Sequence, residues 1–432
     1  MTSADRLHVP RAAISAAVAI FFALLVNQGV VYYVARFSLG LDLLSPWPVL
    51  LLTLAACILA LLTSKIETSF IRISAASLLV CILCSATFLW SPSEQYGLNK
   101  TLLTLFVPAL CIAAGFIVAR EGQLRFWLAS CAVLAGVAGA VLLINNHEPT
   151  SFSDSARSVI ITYQNLSFVM ALGAIWAVER FTTRLPRKDI WSAVCFIAFV
   201  YFVLRSGGRM GLFLVLLTVF VFVLVRTRTY RQGAVVLVAC VLLVGGAAVL
   251  IESHAIDIVS SPDVPATVKR TVYYAFLQEG PTGLTSRDVF YELALDVFLQ
   301  APLVGVGWGG FPSAAGLADV AGNWPHNLLL ELLAETGLAG TAAFLVFMVL
   351  ILSAFFSSPG KLDDKTIVVA IFLAGFATSM VGGDWPSQRL LFFSFGAIGG
   401  VSARVFRARA TGRDGIDKDR SYGRAASILN GT

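Results

Sequence analysis

The chain has 432 residues, of which 58% are hydrophobic and only 13% are charged, and its mean hydropathy is +0.83. A soluble globular protein is about one quarter charged, so this composition excludes that class. The net charge of +6 comes from lysines and arginines beside apolar runs, which indicates membrane topology and argues against nucleic-acid binding.

Apolar runs long enough to cross a bilayer recur along the whole chain, which predicts an all-α polytopic membrane protein with about twelve transmembrane helices. The run that follows Arg6 and Arg11 is long and lacks a small-residue cleavage site, so we expect an uncleaved first span. The predicted spans are residues 12–34, 46–63, 70–90, 101–119, 125–144, 158–178, 190–204, 210–225, 233–251, 326–356, 366–382 and 389–406.

The positions of lysine and arginine predict that both termini are cytoplasmic, because basic residues accumulate in cytoplasmic loops. The inner loops "ERFTTRLPRKD" and "RTRTYRQ" and the C-terminal tail are dense in arginine. This orientation divides the chain into residues 1–251 with nine spans, a large outer loop at 252–325, residues 326–406 with three spans, and a basic tail at 407–432 that contacts lipid.

The outer loop is about 74 residues long, and a loop of that length usually has a function. Its segment "TSRDVFYELALDVFLQAP" predicts an amphipathic helix with a capping box at Thr285 and Asp288. Arg287 then lies in the first turn, where the helix dipole disfavours a cation unless an anion binds there. A solvated arginine is the alternative. The apolar stripe of this helix consists of Phe290, Leu293, Ala294 and Val297.

Gly305, Gly307 and Gly310 in "GVGWGGF" match the glycine fingerprint of dinucleotide-binding folds. That fingerprint requires a strand before it and a helix after it in a βαβ unit, and neither is expected in this outer loop. We therefore interpret these glycines as a tight turn between the amphipathic helix and the next span.

His326 follows Pro325 at the start of the tenth predicted span, in "NWPHNLLLELLAETGLAG". A helix over 326–356 would be about 46 Å long, against an apolar bilayer core of about 30 Å, so we expect a bend near Thr336–Gly337. The positive end of the helix disfavours imidazolium, which predicts a neutral histidine that can accept a proton. An interfacial histidine that caps the helix is the alternative.

Further arginines are predicted on the outer side, some at a Gly-Gly break and some beside polar residues at span ends. Each alone is typical of a basic side chain that reaches for the interface. Together with His326 they favour a site for a phosphorylated substrate. The set and its polar neighbours comprise Arg157, Asn165, Arg205, Arg209, Asp384 and Arg389.

No Asp-x-Asp motif or cluster of His, Asp and Glu is present in the outer loops, so we predict neither a metal nor another cofactor. All seven cysteines lie in apolar spans, which argues against a disulfide framework. The Cys81-x-x-Cys84 spacing lies in mid-membrane without the soluble fold that a redox motif needs.

Two classes of function, with a structural or assembly role as a weaker third, fit this organisation. Twelve spans would suit a secondary transporter, but such carriers keep charges inside the membrane, and here only Glu331 and Glu335 could be immersed. The outer arginines, His326 and the large outer loop favour an enzyme that acts on a lipid-linked substrate at the outer leaflet.

Several segments resemble the O-antigen ligase and polymerase family over about residues 155–400. "HNLLLELLAETGLAG" resembles the family's His-Asn motif, which is followed after nine residues by two spaced glycines. "SRDVFYELALDVFLQAPLVGVGWGGF" resembles its pattern of an arginine, a helix and Pro-Leu-x-Gly-x-Gly. "RSGGRMG" and "TYQNLSFVMALG" resemble its arginine-glycine junction and its Asn-containing span.

The resemblance implies a glycosyltransferase of the membrane-embedded C class in the bacterial inner membrane, with its active site facing the periplasm. The missing Asp-x-Asp motif predicts that it needs no metal. The donor would be a glycan on undecaprenyl pyrophosphate. The acceptor would be lipid A–core in a ligase, another glycan in a polymerase, or a protein. His326 would be the catalytic histidine, and Arg287 and Arg209 would bind pyrophosphate. Arg205 competes with Arg209 for one motif position and is a further candidate for binding pyrophosphate. Arg389 is expected to bind pyrophosphate, and Asp384 to support the site, from their placement more than from a motif. The other expected supporting residues are Asn327, Asn165 and Arg157.

Overall fold

The computed structural model describes residues 11–39, 47–64, 67–145, 163–183, 190–206, 208–226, 254–261, 264–273, 286–358 and 362–410. Within these ranges all regular structure is helical, which confirms the all-α prediction. The predicted ninth span, Arg157, Thr285 and most of the tail lie outside the described residues.

The α-helices are α1 Arg11–Val26, α2 Gln28–Leu39, α3 Trp47–Leu62, α4 Thr68–Ala86, α5 Tyr96–Arg120, α6 Leu124–Asn145, α7 Tyr163–Thr183, α8 Ile190–Arg205, α9 Arg209–Arg226, α10 Ala255–Ser260, α11 Ala266–Val272, α12 Ser286–Gln300, α13 Phe311–Ala314, α14 Leu328–Ser357, α15 Leu362–Ser379 and α16 Arg389–Ala410.

Helices occupy eleven of the twelve predicted spans. By length and composition, four are long and apolar enough to cross a membrane, namely Thr68–Trp90, α5, Leu124–Ile144 and α14. The bent pair α1–α2 would be a fifth, and α3, α8 and α9 are shorter apolar helices. The described part of the chain is therefore all-helical, with four or five candidate membrane spans, while the count of twelve spans and the outer position of the large loop stay predictions.

The first predicted span, 12–34, is broken at Asn27, where α1 and α2 meet at an angle of 77°. Asn27 Nδ2 donates to the carbonyl of Ala23 at 2.8 Å, so this side chain competes with the helix for a backbone acceptor. At the break Arg389 Nη1 donates to the carbonyl oxygen of Leu25 at 2.6 Å. The predicted first span is therefore divided at Asn27 into two helices, and a polar side chain from α16 stabilises the interruption.

The centre of the fold is the contact between α5 and α16, where glycines let two backbones approach closely. A Cβ atom at Gly115 would collide with the carbonyl oxygen of Phe393, and one at Gly396 would collide with that of Ile112. Small residues have this role between helices in membranes, since packing rather than hydrophobicity drives helix association there. The pair fixes the start of α16, and with it Arg389.

Helix α14 begins two residues later than the sequence suggested. Asn327 has extended backbone angles, and its side-chain oxygen accepts hydrogen bonds from the N–H groups of Leu329 and Leu330 at 3.0 and 3.2 Å. Asn327 is thus the N-cap, because its oxygen satisfies two amides that the first turn leaves free. His326 consequently lies outside the helix, and Pro325 is not its first residue.

The expected bend in α14 is confirmed at Gly337, which has φ 61° and ψ −162°. The loop after α12 supplies the backbone partners that the interruption removes. Leu338 and Ala339 donate to the carbonyls of Pro302 and Leu303, at 2.9 and 3.1 Å. In return, the carbonyls of Ala334 and Glu335 accept from Val306 and Gly307, at 3.0 and 2.9 Å. The loop therefore replaces four helical hydrogen-bonding groups and anchors itself to the break.

Two of the fingerprint glycines have positive φ, 69° at Gly305 and 99° at Gly307. A Cβ at Gly305 would collide with the backbone of Glu335, and one at Gly307 would lie 2.6 Å from the backbone of Ser91. The tight-turn interpretation is therefore confirmed for these two positions, and the turn is wedged between α14 and the segment before α5.

Candidate active site

A cleft of about 910 Å³ lies where four helices begin, at the break between α1 and α2. The starts of α7, α9, α12 and α16 all contribute residues to its lining. Each helix start carries free N–H groups and the positive end of a helix dipole. These starts favour an anion in the cleft, while the C-terminal ends of α1 and α15, which carry the negative end of the dipole, also line it.

Three of the predicted arginines line this cleft together: Arg209, Arg287 and Arg389. They come from three separate parts of the sequence, and the described lining residues include no aspartate or glutamate. Guanidinium groups match the geometry of phosphate oxygens, so this set can hold a phosphate or pyrophosphate by charge-assisted hydrogen bonds.

Arg389 is held in place at the α1–α2 break. Its Nη1 donates to Gln28 Oε1 at 2.9 Å in addition to the Leu25 carbonyl. Its Nε is buried and has no hydrogen-bond partner among the described residues. A buried guanidinium nitrogen without a partner is costly, and an anionic ligand in the cleft would remove that cost.

The structure separates Arg209 from Arg205, which the sequence could not do. Arg209 is the first residue of α9 and lines the cleft. Ser167 fixes this helix start, since its Oγ donates to the carbonyl of Gly208 and accepts from Gly211 N, at 3.0 and 2.8 Å. Arg205 is not among the cleft-lining residues, and its Nη1 donates to the hydroxyl of Tyr201 at 3.3 Å.

Arg287 is the second residue of α12, in the first turn where it was expected. The predicted apolar stripe is confirmed, because Ala294 and Val297 are buried and Phe290 and Leu293 pack against the same small core. This core orients α12 so that Arg287 faces the cleft. No hydrogen bond from Arg287 to another described residue is formed, so its donors are available to a ligand.

His326 lies beside Arg287 and has a strained backbone. Its φ of 55° is the only positive value at a non-glycine position in the part of the chain that the structure describes. Burial, and then the charge of Arg287, lower the pKa of His326 below its ordinary value. Burial and Arg287 thus favour the neutral imidazole, whereas the sequence argument rested on the positive end of a helix that begins only at Leu328. Backbone strain of this kind is common at functional sites.

Aromatic rings surround the imidazole of His326. Trp324 Nε1 donates a hydrogen bond to His326 Nδ1 at 3.0 Å. The ring of Phe290 meets the imidazole edge-on, with centroids 5.5 Å apart and an interplanar angle of 84°. The imidazole is therefore held on one side by Phe290 of α12 and on the other by Trp324, two residues earlier in the chain than His326.

The four residues expected to support the site have different positions. Asn165 lines the cleft, against Gly29 of α2. Asn327 caps α14, and its Nδ2 donates to the carbonyl of Met380 at 3.3 Å, which links His326 to the end of α15. Asp384 does not line the cleft, and its Oδ2 accepts from the hydroxyl of Tyr96 at 3.1 Å. Arg157 lies outside the described residues.

A buried ionic cluster beside the site was missed from the sequence. Lys100 Nζ lies 2.5 Å from Glu331 Oε1 and 2.5 Å from Glu335 Oε2, and all three side chains are buried. The same two oxygens accept from the backbone N–H groups of Trp385 and Gly309, at 3.0 and 2.9 Å. The signal was a lysine at the edge of a long apolar run, which in a membrane helix indicates a function.

Amide side chains in the cleft were also missed as lining residues. The cleft includes Gln28, Gln164 and Gln388 besides Asn165. Gln388 Nε2 donates to the carbonyls of Gly382 and Asp384, at 2.9 and 3.0 Å. Amides at such positions can hydrogen-bond sugar hydroxyls. Gln164 stands next to Asn165 among the polar residues of the predicted sixth span, which was a signal, whereas the sequence context of Gln28 and Gln388 gave none.

No group of three or more His, Cys, Asp or Glu side chains that could hold a metal ion exists among the described residues. The positively charged side chains that line the cleft are those of Arg209, Arg287 and Arg389. Cys81 and Cys84 are buried free thiols in α4.

One comparison with known proteins bears on the chain. Residues 193–345, about a third of its length, match the family model described as O-antigen ligase. The matched region contains Arg209, Arg287 and His326, and it ends within α14. No curated protein sequence matches the chain.

Proposed function

We propose that this chain, which carries a domain of the O-antigen ligase family at residues 193–345, transfers a glycan from undecaprenyl pyrophosphate to an acceptor hydroxyl. We place the reaction at the periplasmic face of the bacterial inner membrane, with lipid A–core as the acceptor. The family match supports a ligase- or polymerase-type glycosyltransferase, and the helices support a membrane protein.

One observation supports this function most strongly. Three arginines that are far apart in the sequence line one cleft at four helix starts, without a carboxylate among the described lining residues. A pyrophosphate is the group that such a set suits, because it carries several negative charges and many acceptor oxygens. The cleft's amides would then lie where the first sugars of the donor enter.

The proposed reaction is a displacement at the anomeric carbon of the donor. The acceptor hydroxyl oxygen forms a bond to that carbon with inversion, and the bond from the carbon to the phosphate oxygen breaks. The electron pair leaves with the pyrophosphate, where Arg209, Arg287 and Arg389 stabilise the new charge. Neutral His326 accepts the hydroxyl proton as general base and then releases it to water.

The test is glycan transfer by the purified protein in proteoliposomes with a lipid-linked donor and a lipid A–core acceptor. Arg209→Lys and Arg287→Lys should each raise the KM for the donor about 10- to 100-fold, because an ammonium replaces a bidentate guanidinium. Arg205→Lys is the matched control, four residues from Arg209 and outside the cleft lining, and should transfer normally.

Each other outcome assigns a different function. Transfer to a second lipid-linked glycan or to a protein, in place of lipid A–core, would make the enzyme a polymerase or a protein glycosyltransferase. Movement of a lipid-linked glycan or another solute across the bilayer without glycosidic bond formation would indicate a transporter. Equal effects of the three arginine variants on donor KM would show that the cleft does not bind the donor.

A further inference from the structure

The hydrogen bond between Trp324 and His326 determines which imidazole nitrogen carries the proton. An indole N–H is a donor only, so His326 Nδ1 must accept at this 3.0 Å contact. A neutral imidazole has one acceptor nitrogen and one N–H. The hydrogen of neutral His326 is therefore on Nε2, and its single lone pair is already occupied by Trp324.

A general base needs that lone pair, so His326 cannot accept a proton in this arrangement. The usual arrangement of a catalytic histidine is the reverse, in which Nδ1–H donates to an orienting group and Nε2 stays free for the substrate. Here the orienting neighbour is itself a donor and occupies the basic nitrogen.

We propose that Trp324 blocks the basic Nδ1 of His326 in the resting enzyme, and that the acceptor hydroxyl displaces the indole N–H from this nitrogen. This proposal rests on the proposed function. The hydroxyl donor takes the position of the indole donor, and its proton moves to Nδ1 as its oxygen bonds to the anomeric carbon. The bond to the leaving pyrophosphate breaks with its electron pair, and the resulting imidazolium later loses a proton to water.

The surroundings allow the indole to move while the imidazole stays in place. Phe290 contacts the imidazole from α12, and Asn327 next to it is bound to α14 and to Met380. Trp324 lies in a segment without helix or strand, after the anchor that Asp319 forms with Ser93 Oγ at 2.7 Å. The side chain of Trp324 can therefore rotate while the hydrogen bonds of Asn327 and the Asp319–Ser93 hydrogen bond stay formed.

Few charged groups affect the pKa of His326, so the hydrogen bond from the indole should have a measurable effect on this pKa. Arg287 on α12 is the charged group that acts on the imidazole. On the neighbouring elements, Glu331 is paired with Lys100 and Asp384 accepts from Tyr96. A hydrogen bond to the neutral imidazole disfavours the charged form, so the loss of the indole N–H should raise the pKa of His326.

A blocked base would protect the donor from water. A free general base beside an activated glycan would also deprotonate a water molecule and hydrolyse the donor, a side reaction that closed active sites prevent. If only a bound acceptor can displace Trp324, the base becomes available when a glycan can be transferred productively.

The experiment uses Trp324→Phe in the full-length protein in proteoliposomes. Loss of one hydrogen bond should raise acceptor-independent donor hydrolysis about 2- to 10-fold, and should move the acidic limb of the kcat/KM profile for transfer to higher pH. Trp191→Phe is the control, because the Trp191 side chain on α8 is 73% exposed and does not donate to a histidine in the described structure. It should leave hydrolysis and the acidic limb unchanged.

The double variant His326→Asn with Trp324→Phe should lose the hydrolysis that Trp324→Phe alone gains. That loss would show that His326 is the base in the added hydrolysis. Unchanged hydrolysis and an unshifted acidic limb in Trp324→Phe would overturn the proposal, as would a loss of transfer as large as that of His326→Asn. If Trp324→Phe does not fold, Trp324→Tyr, which also lacks the indole N–H, decides by the same two measurements. Failure of the wild-type protein to transfer glycan would instead contradict the proposed function.

Discussion

Replacement of Lys100 by methionine should destabilise the protein strongly. The ammonium group of Lys100 is fully buried and lies 2.5 Å from one oxygen of each of two buried glutamates. The other oxygens, Glu331 Oε2 and Glu335 Oε1, have no hydrogen-bond partner among the described residues. Lys100→Met therefore leaves two carboxylates in a dry site without their shared cation.

The size of the effect follows from this geometry. Removal of one partner from a buried ion pair costs about 3–5 kcal/mol, since the remaining charge is left uncompensated. Typical proteins are stable by about 5–15 kcal/mol in total, so a loss of this size is a large part of the whole. Substitution of all three residues, as Lys100→Met with Glu331→Gln and Glu335→Gln, should recover most of the loss, because neutral side chains avoid the desolvation cost.

Activity should fall further than stability alone explains. Glu331 accepts from the backbone N–H of Trp385, and Glu335 accepts from that of Gly309. These two hydrogen bonds join the segment before α16 and the glycine loop to α14. Glu331 is also in the first turn of the helix whose cap follows His326. A displacement of about 1 Å at a catalytic group can cost about 100-fold in rate, so the triple variant should fold but transfer glycan poorly.

The assay is thermal denaturation in detergent together with glycan transfer at matched protein levels. Lys365→Met is the control, because Lys365 Nζ caps the end of α14 through the carbonyl of Phe355 at 3.1 Å and pairs with no buried carboxylate in the described structure. Its melting temperature should change little. A Lys100→Met protein that melts with the wild type would refute the role of the ionic cluster.

Three further predictions concern the chemistry and the topology. His326→Ala and His326→Asn should both insert and fold, and should lower transfer about 10²–10⁴-fold; Asn tolerates positive φ, so normal transfer by His326→Asn would remove the imidazole from the reaction. Transfer should continue in EDTA, since the cleft's own arginines supply its positive charge; inhibition that Mg²⁺ or Mn²⁺ reverses would contradict metal independence. A tag inserted in 252–325 should be accessible only from the periplasmic side, and cytoplasmic labelling would contradict the predicted orientation.

Much of the local structure could be predicted from the sequence. The apolar runs in the sequence predicted helices close to those observed, and the apolar stripe of α12 predicted which face of that helix is buried. The bend at Gly337 followed from a helix too long for the bilayer core. These features depend on neighbours in sequence, through periodicity, length and the conformational freedom of glycine, so a single chain is enough to infer them.

The features that escaped prediction depend on residues far apart in the chain. Nothing near Asn27 indicates that an arginine 364 positions after Leu25 binds that residue's carbonyl oxygen. Lys100 lies one residue before the predicted fourth span, and its position at the edge of an apolar run did not identify Glu331 and Glu335 of α14 as its partners. Arg205 and Arg209 have the same motif context, and only the contact of Ser167 with the junction places Arg209 at the cleft.

The site is built where helices are interrupted. Irregular backbone is tolerated at membrane depth only where other protein groups pair with it or where it lines a cavity. The α1–α2 break lines the arginine cleft and is stabilised by Arg389, while the Gly337 break is paired with the loop after α12. The same loop lies between Arg287 and His326 in sequence, so its attachment to α14 sets the distance between these residues. A change that straightens α14, such as Gly337→Ala, should therefore displace the loop and separate Arg287 from His326, although neither residue is substituted.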